Sequence, residues 1–317
     1  MEDELFGSDS DEQAADLSHE VRGSNNGVLS FHNGTEEAMF IYIDKKMQNS
    51  HKDCRKDVSK ILSSCDEFCM KRHWMMHVGP SKANILRDAF NLLPPSSSSS
   101  AINVLELGSY CGYSTAVIAH LLYERDKGIE NADTGLFDGL RRDINDCSGL
   151  RPQSHLVSVE PDPKCVKWTN RMLSSSFCNL SSYSSVLQTA VSERFENDDI
   201  NSDFLAKLNS LQLDKDGGDR EIKFDFLFID HDKGKYLTDL KLLQQSNLLK
   251  EKCVIVADNV LSFGQPLKEY LDYVRGDESF ASSQLFVSEL EYSEDQALCD
   301  YRGREYFVDG VEVTVTV

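Results

Sequence analysis

The sequence has no long apolar run and no excess of basic residues. No hydrophobic segment approaches the roughly 18–20 residues that a membrane-spanning helix needs. The 33 lysines and arginines are outnumbered by 53 aspartates and glutamates, so the formal net charge is −20. Binding to a nucleic-acid backbone needs a basic surface. We therefore expect no membrane span and no nucleic-acid partner.

Cysteine pairs with the spacing of a zinc site are also missing. The nine cysteines are scattered between Cys54 and Cys299, and no second pair accompanies Cys65 and Cys69. An odd number of scattered cysteines favours free thiols in a reducing compartment. The acidic N-terminal segment lacks the basic and apolar regions of a secretory signal. These features predict a cytoplasmic protein.

The composition divides the chain into a tail and one large domain. Residues 1–35 are polar and acidic, which predicts a disordered tail ahead of a single domain over residues 36–317. Helical spacing of apolar residues runs from about residue 55 to 93. Two polar stretches, at about 125–153 and 193–222, contain too few apolar residues to form a core. They are predicted to be surface insertions.

From residue 103 onward, apolar segments of strand length alternate with amphipathic helical segments. The near-continuous apolar runs around residues 224–230 and 253–258 are typical of central parallel strands that are covered on both faces. Two alternating segments, 284–292 and 304–317, are predicted to form an antiparallel pair at the sheet edge. The order predicts a doubly wound α/β fold with helices on both faces of a mainly parallel sheet.

A glycine-containing turn follows the first of these strands. In ELGSYCG the glycines are Gly108 and Gly112, which does not reproduce the G-x-G-x-x-G spacing of dinucleotide-binding proteins. Glu160 closes the next strand and offers two acceptor oxygens for ribose hydroxyls, and Glu106 is placed to face an amino group. This pattern favours S-adenosylmethionine, which carries no phosphate. A purely structural turn is the alternative.

Two aspartates end neighbouring apolar strands later in the chain. Asp230 follows one strand, Asp258 follows the next, and Asn259 comes directly after Asp258. Because the carboxyl ends of parallel strands lie along one edge, the three side chains can face one point. Three oxygen ligands suit Mg²⁺ and leave positions for water or substrate. The alternative is that these residues only cap the helices that follow.

Around these residues the chain resembles the catechol O-methyltransferase family over about residues 55–317. The matching stretches are HWMMHVGPSK, VLELGSYCGYS, VEPD, FIDHDKGKYL, VADNV, YVRG and LEY. The resemblance implies one Rossmann-like domain with a seven-stranded, mainly parallel sheet. It further implies S-adenosylmethionine and Mg²⁺ as cofactors, and methyl transfer to one hydroxyl of a catechol.

The resemblance also implies roles for individual residues. Asp230, Asp258 and Asn259 would bind Mg²⁺, Lys233 would be the general base, and Glu291 would contact the second substrate hydroxyl. The implied cofactor contacts are Val78, Glu106, Gly108, Tyr110, Ser114, Glu160, Ser192, Asp230 and His231. The implied substrate contacts are Trp74, Met76, Asp232, Lys233, Asn259, Phe263 and Glu291. Without the paired aspartates, Lys233 would be interpreted as a solvated lysine at a helix start.

Two substitutions depart from the family pattern and bear on the substrate. Asp232 stands where the family has a tryptophan, and Phe263 stands where it usually has a proline. An acidic residue beside the substrate favours a cationic catechol, by charge complementarity. Alternative functions are methylation of another phenolic or hydroxylated metabolite, and cofactor binding without turnover. A nicotinamide oxidoreductase is the least favoured, and a monomer with a small-molecule substrate is predicted.

Overall fold

The computed structural model describes residues 34–48, 57–72, 75–94, 101–128, 154–192, 199–211, 222–261, 267–289 and 308–317. The predicted tail before residue 34 lies outside these ranges, as do Trp74, Phe263 and Glu291. The elements in chain order are α1 (Thr35–Gln48), α2 (Val58–Lys71), α3 (Gly79–Phe90), β1 (Asn103–Leu107), α4 (Tyr113–Asp126), β2 (His155–Val159), α5 (Pro163–Leu173), β3 (Ser184–Leu187), α6 (Ser202–Ser210), β4 (Phe224–Ile229), α7 (Tyr236–Gln245), β5 (Leu249–Ala257), α8 (Lys268–Gly276), β6 (Phe280–Glu289) and β7 (Val308–Thr316).

The described strands form one seven-stranded sheet in the order β3-β2-β1-β4-β5-β7-β6. Strands β1 to β5 pair in parallel, whereas β7 is antiparallel to β5 and β6 is antiparallel to β7. The predicted doubly wound sheet and its antiparallel C-terminal edge are therefore confirmed. The chain winds outward in opposite directions from the adjacent strands β1 and β4, and ligands of such sheets bind at the carboxyl ends of strands at this switch point.

Helices cover both faces of the sheet, and alternation along the strands divides the core into two layers. Phe226 and Phe228 face the cluster formed with α1 to α5, whereas Leu227 and Ile229 face the cluster formed with α6 to α8. Successive side chains of a strand point to opposite faces, so an apolar run supplies both layers. No helix in the described ranges is long and apolar enough to cross a membrane. The six described cysteines, including Cys111 and Cys253, are buried and form no disulfide among the described residues.

Two helices were not predicted from the sequence. Helix α1 buries Met39, Phe40 and Ile43 in the core. Helix α6 lies within the stretch 193–222, which was interpreted as an insertion, yet Phe204 and Leu208 are fully buried in the second layer. Helix α6 has only nine residues, and most apolar residues of α1 are consecutive, from Ala38 to Ile43, so neither segment gave a clear periodic signal. That part of the predicted insertion belongs to the packed domain.

One arginine attaches α1 to α5. The guanidinium of Arg171 contacts Glu37 at 3.4 Å and Asp44 at 3.0 Å, and it lies 4.7 Å from the ring centroid of Phe40. Arginine stacks on aromatic rings while its nitrogens pair with carboxylates. Helix α1 is thereby placed beside the helix that follows Glu160.

Candidate active site

The turn after β1 lies directly against the end of β4. Gly108 has φ +92°, and a Cβ added there would lie 2.3 Å from the carbonyl oxygen of Asp230 and 3.1 Å from the Cα of His231. Only glycine fits a position that combines positive φ with so close a backbone approach. The sharp turn therefore places the predicted cofactor site next to the first predicted metal ligand.

The carboxylate of Glu160 holds this turn in place. One oxygen accepts hydrogen bonds from the backbone N–H groups of Ser109 (3.2 Å) and Tyr110 (3.1 Å), and the other accepts from Asp162 N (2.9 Å). Burial raises the pKa of Glu160. The predicted position at the end of β2 is confirmed, and the oxygen that accepts from Asp162 retains one lone pair as a free acceptor, because a carboxylate oxygen has two. Its contact with a ribose stays a prediction.

Glu106 is fully buried in β1 and is held by three hydroxyl groups. Ser114 (2.7 Å), Thr115 (2.7 Å) and Ser158 (2.6 Å) all donate to its carboxylate. Burial raises its pKa to about 7, although the three hydrogen bonds act in the opposite direction. Glu106 thus links β1 to α4 and β2. The predicted contact with the amino group of a cofactor is not tested by these contacts.

The start of α1 meets the same turn. Tyr110, at φ +48°, donates from its hydroxyl to a carboxylate oxygen of Glu36 at 3.3 Å. Its ring lies 5.6 Å from that of His77, just before Val78. The first turn of α1 therefore contributes to the wall around the glycine turn, which the sequence interpretation missed.

At the ends of β4 and β5, three polar groups converge on one ammonium. Lys233 Nζ lies 2.9 Å from Asp230 Oδ1, 2.9 Å from Asn259 Oδ1 and 2.8 Å from the Tyr236 hydroxyl. Tyr236, which is fully buried, donates to the carbonyl oxygen of Asp258 at 2.9 Å. The ammonium is held between these partners while its side chain is 34% exposed, and its role as a base stays a prediction.

The interpretation of the strand-end acids as helix caps does not hold for Asp230. The side chain that caps the short 3₁₀ turn Lys233–Lys235 is Asp232, which accepts from Gly234 N at 3.0 Å. Asp258 Oδ1 accepts from the backbone N–H of Asn259 at 2.7 Å. Asp232 is exposed and Asp230 points to Lys233.

A buried ion pair lies behind these groups, and no sequence argument singled it out. Lys82 Nζ lies 2.9 Å from Asp258 Oδ1 and 2.6 Å from Asp309 Oδ2. The same Asp309 oxygen accepts from Asn259 Nδ2 at 2.6 Å. The sequence offered two signals of this pair: a lone lysine on the buried face of α3 and an acidic residue inside a buried strand.

All three predicted metal ligands carry a side-chain oxygen, as an all-oxygen cation site requires. Two of their oxygens, from Asp230 and Asn259, already approach a single cation, the ammonium of Lys233. Hard oxygen donors suit Mg²⁺. In the described ranges no group of three or more His, Cys, Asp or Glu is placed to hold a metal. The candidate ligand set is of a different kind, because it has only two carboxylates and its third donor is the amide oxygen of Asn259.

Four other predicted site residues have described surroundings: His231, Val78, Met76 and Ser192. His231 contacts Asp239 Oδ2 through Nε2 at 2.7 Å, and its ring stacks on Tyr236 at 5.3 Å. Val78 and Met76 pack in the first core layer beside α3. Ser192 is buried and pairs with Ile200 in an isolated bridge.

Comparisons with known proteins show similarity to methyltransferases. Residues 105–260 match a family described as a methyltransferase domain. Catechol O-methyltransferase of Bos taurus is 30% identical over 237 residues, which cover 75% of this chain and 66% of that protein. Catechol O-methyltransferase B of Danio rerio is 30% identical over 239 residues, covering 75% and 69%. The chain thus spans about two thirds of the length of these relatives.

More distant matches include a human protein and solved structures. The transmembrane O-methyltransferase of Homo sapiens is 25% identical over 220 residues, covering 69% of this chain and 57% of that protein. The structure of an O-methyltransferase from Bacillus cereus, in complex with SAH, aligns with a TM-score of 0.48 and 15% identity. That alignment covers 88% of this chain and 100% of the other.

Proposed function

Because this chain belongs to the catechol O-methyltransferase family of S-adenosylmethionine-dependent O-methyltransferases, we propose that it methylates one hydroxyl of a catechol-type substrate with the help of Mg²⁺. The supporting observation is the convergence of Asp230 and Asn259 on one cation, 2.9 Å from each oxygen, directly beside the Gly108 turn. Asp258 is the third proposed ligand.

We place the cofactor along the glycine turn, between the ends of β1 and β2. Its proposed contacts are Val78, Glu106, Gly108, Tyr110, Ser114, Glu160, Ser192, Asp230 and His231. The contact of Gly108 with the backbone of Asp230 supports this placement, because it brings the turn to the edge that holds the proposed metal ligands. A sulfonium bound there would carry its methyl group toward a substrate oxygen at the same edge.

The proposed reaction relies on positioning. The substrate oxygen forms a bond to the methyl carbon while the S–CH₃ bond breaks, and holding the groups in line supplies much of the acceleration. Mg²⁺ held by Asp230, Asp258 and Asn259 would supply Lewis acidity, which favours loss of the hydroxyl proton. Lys233, in its neutral amine form, accepts that proton. Its Nζ is held at this edge by Asp230, Asn259 and Tyr236.

Substrate preference is proposed to depend on Asp232. Its carboxylate is exposed beside Lys233, and one oxygen caps the 3₁₀ turn. A carboxylate there attracts a positively charged substituent and repels a negatively charged one. We therefore propose a preference for amine-bearing catechols over acid-bearing catechols. Trp74, Met76, Phe263 and Glu291 complete the proposed substrate wall by resemblance to the family.

The decisive experiment measures methyl transfer from labelled S-adenosylmethionine to catechols and monophenols, with Mg²⁺ or with excess EDTA. Metal-dependent methylation of catechols alone is the expected result. Bound S-adenosylmethionine without transfer to any acceptor would instead identify a cofactor-binding protein without turnover. Transfer to monophenols that persists in EDTA would indicate another phenolic substrate and would remove the metal from the proposal.

A variant of the proposed base tests the role of Lys233. Lys233→Ala should lower kcat by at least about a hundredfold, since a positioned base contributes on the order of 10²–10⁴-fold. Binding of S-adenosylmethionine should stay nearly unchanged. Lys235→Ala is the matched control, because Lys235 belongs to the same 3₁₀ turn and has no role in the proposal. Equal activity of the two variants would remove Lys233 from the mechanism.

A further inference from the structure

A buried lysine and a buried aspartate lie directly behind the proposed metal ligand Asn259. We propose that Asp309, supported by Lys82, is a positioning residue that turns the amide oxygen of Asn259 toward the cation site. This inference rests on the proposed function and adds two residues to that site. Neither residue would touch the substrate or the cation.

The carboxylate of Asp309 determines which end of the amide faces the site. A side-chain amide has an oxygen that accepts and an NH₂ that donates, whereas an ionised carboxylate only accepts. Asp309 Oδ2 lies 2.6 Å from Asn259 Nδ2, so the NH₂ end is directed toward Asp309. The amide oxygen therefore points the other way, where it lies 2.9 Å from Lys233 Nζ. A rotated amide would present N–H groups to a cation.

Lys82 balances the buried negative charge of Asp309. Its side chain is 2% exposed and that of Asp309 is 0% exposed, so each charge is removed from water. A buried carboxylate without a positive partner is strongly disfavoured. Lys82 Nζ contacts Asp309 Oδ2 at 2.6 Å and Asp258 Oδ1 at 2.9 Å. One lysine thus supports the residue that orients Asn259 and also contacts the neighbouring proposed ligand.

Three separate elements build this arrangement. Lys82 lies on α3, Asp309 on β7, and Asn259 in the turn after β5, where its backbone has φ +54°. The left-handed backbone of Asn259 sets the direction of its side chain, and Asp309 then sets the rotation of the amide. Carboxylates that hydrogen-bond to metal ligands commonly tune metal affinity by about 10- to 100-fold.

Two double variants separate the effect of the hydrogen-bond acceptor at residue 309 from the effect of its charge. K82M/D309N and K82M/D309L each remove one positive and one negative charge, so the net local charge is unchanged in both. Only the first keeps an oxygen that can accept from Asn259 Nδ2. Binding of Mn²⁺ to the full chain, followed by electron paramagnetic resonance, measures the result without relying on activity.

We expect K82M/D309N to bind Mn²⁺ within about threefold of the wild-type affinity and K82M/D309L to bind about 10- to 100-fold more weakly. R275M/E312L is the matched control, because it removes another ion pair of β7, whose nitrogen and oxygen lie 2.6 Å apart. This control should bind Mn²⁺ like the wild type. Thermal melting and S-adenosylmethionine binding verify folding, and K82M/D309A replaces the leucine variant if that variant does not fold.

Equal Mn²⁺ affinities of the asparagine and leucine variants would overturn the positioning role while leaving the proposed function intact. Equal losses in the leucine variant and in R275M/E312L would also overturn it, because the effect would then be one of general stability. If the wild-type chain itself bound no Mn²⁺, the metal part of the proposed function would fail and this inference would fall with it.

Discussion

Replacing Gly108 by alanine tests the contact that joins the cofactor turn to the metal edge. The added Cβ would lie 2.3 Å from the carbonyl oxygen of Asp230, far inside van der Waals contact, and the backbone at residue 108 has φ +92°. Neither partner of this contact is a flexible side chain that could rotate away. The variant must therefore move the turn after β1 or the end of β4.

The expected loss of unfolding free energy has two causes, and a variant of a second glycine separates them. A left-handed backbone costs an L-residue about 1–2 kcal/mol, and forcing extra atoms into a packed site costs about 1–3 kcal/mol. Gly108→Ala should therefore lower the free energy of unfolding by about 2–5 kcal/mol. Gly128 has φ +65° with no heavy atom within 4 Å of an added Cβ. Gly128→Ala should show only the backbone part, about 1–2 kcal/mol.

Urea unfolding followed by far-ultraviolet circular dichroism gives both free energies, and calorimetric titration gives the affinity for S-adenosylmethionine. Gly108→Ala should weaken cofactor binding, because relief of the overlap displaces the turn that carries the proposed contacts. Gly128→Ala should leave the affinity unchanged. Equal losses of stability in the two variants, or undiminished cofactor affinity in Gly108→Ala, would refute the argument from close packing.

Three further predictions follow from other contacts. Tyr236→Phe removes the hydroxyl that joins Lys233 to a backbone carbonyl; steady-state kinetics should show kcat reduced by up to about a hundredfold. Tyr270→Phe should show no such loss, since that buried hydroxyl has no hydrogen-bond partner among the described residues. Burial raises the pKa of Glu106 from 4.5 to about 7, so the folded state binds the proton more tightly and loses stability as pH rises through this range. The urea midpoint of the wild type should therefore fall relative to that of Glu106→Gln between these pH values, and a constant difference would contradict the burial argument. Arg171→Ala should loosen α1 and speed its cleavage by a protease that does not recognise arginine, with a stability loss of about 1 kcal/mol; unchanged cleavage would show that α1 is held by its apolar face alone.

Much of the fold could be predicted because the strands and most helices carry their signal locally. The apolar runs that became β4 and β5 are recognisable without any partner, and their carboxyl ends necessarily share one edge in a parallel sheet. The positions of Asp230, Asp258 and Glu160 at strand ends were therefore available from the sequence. Helix α6 was missed because only Phe204 and Leu208 of its residues are buried.

The sequence by itself determined the order of the strands and of most helices, the strand-end acids and the glycine turn, because hydrophobic periodicity and turn chemistry act over a few neighbouring residues. Only the tertiary structure decided which polar groups meet. Lys82 and Asp309 are 227 positions apart, and they meet because β7 lies between β5 and β6 in the sheet, against α3. Pairing of buried charges depends on this long-range packing, and no local pattern in the sequence encodes it.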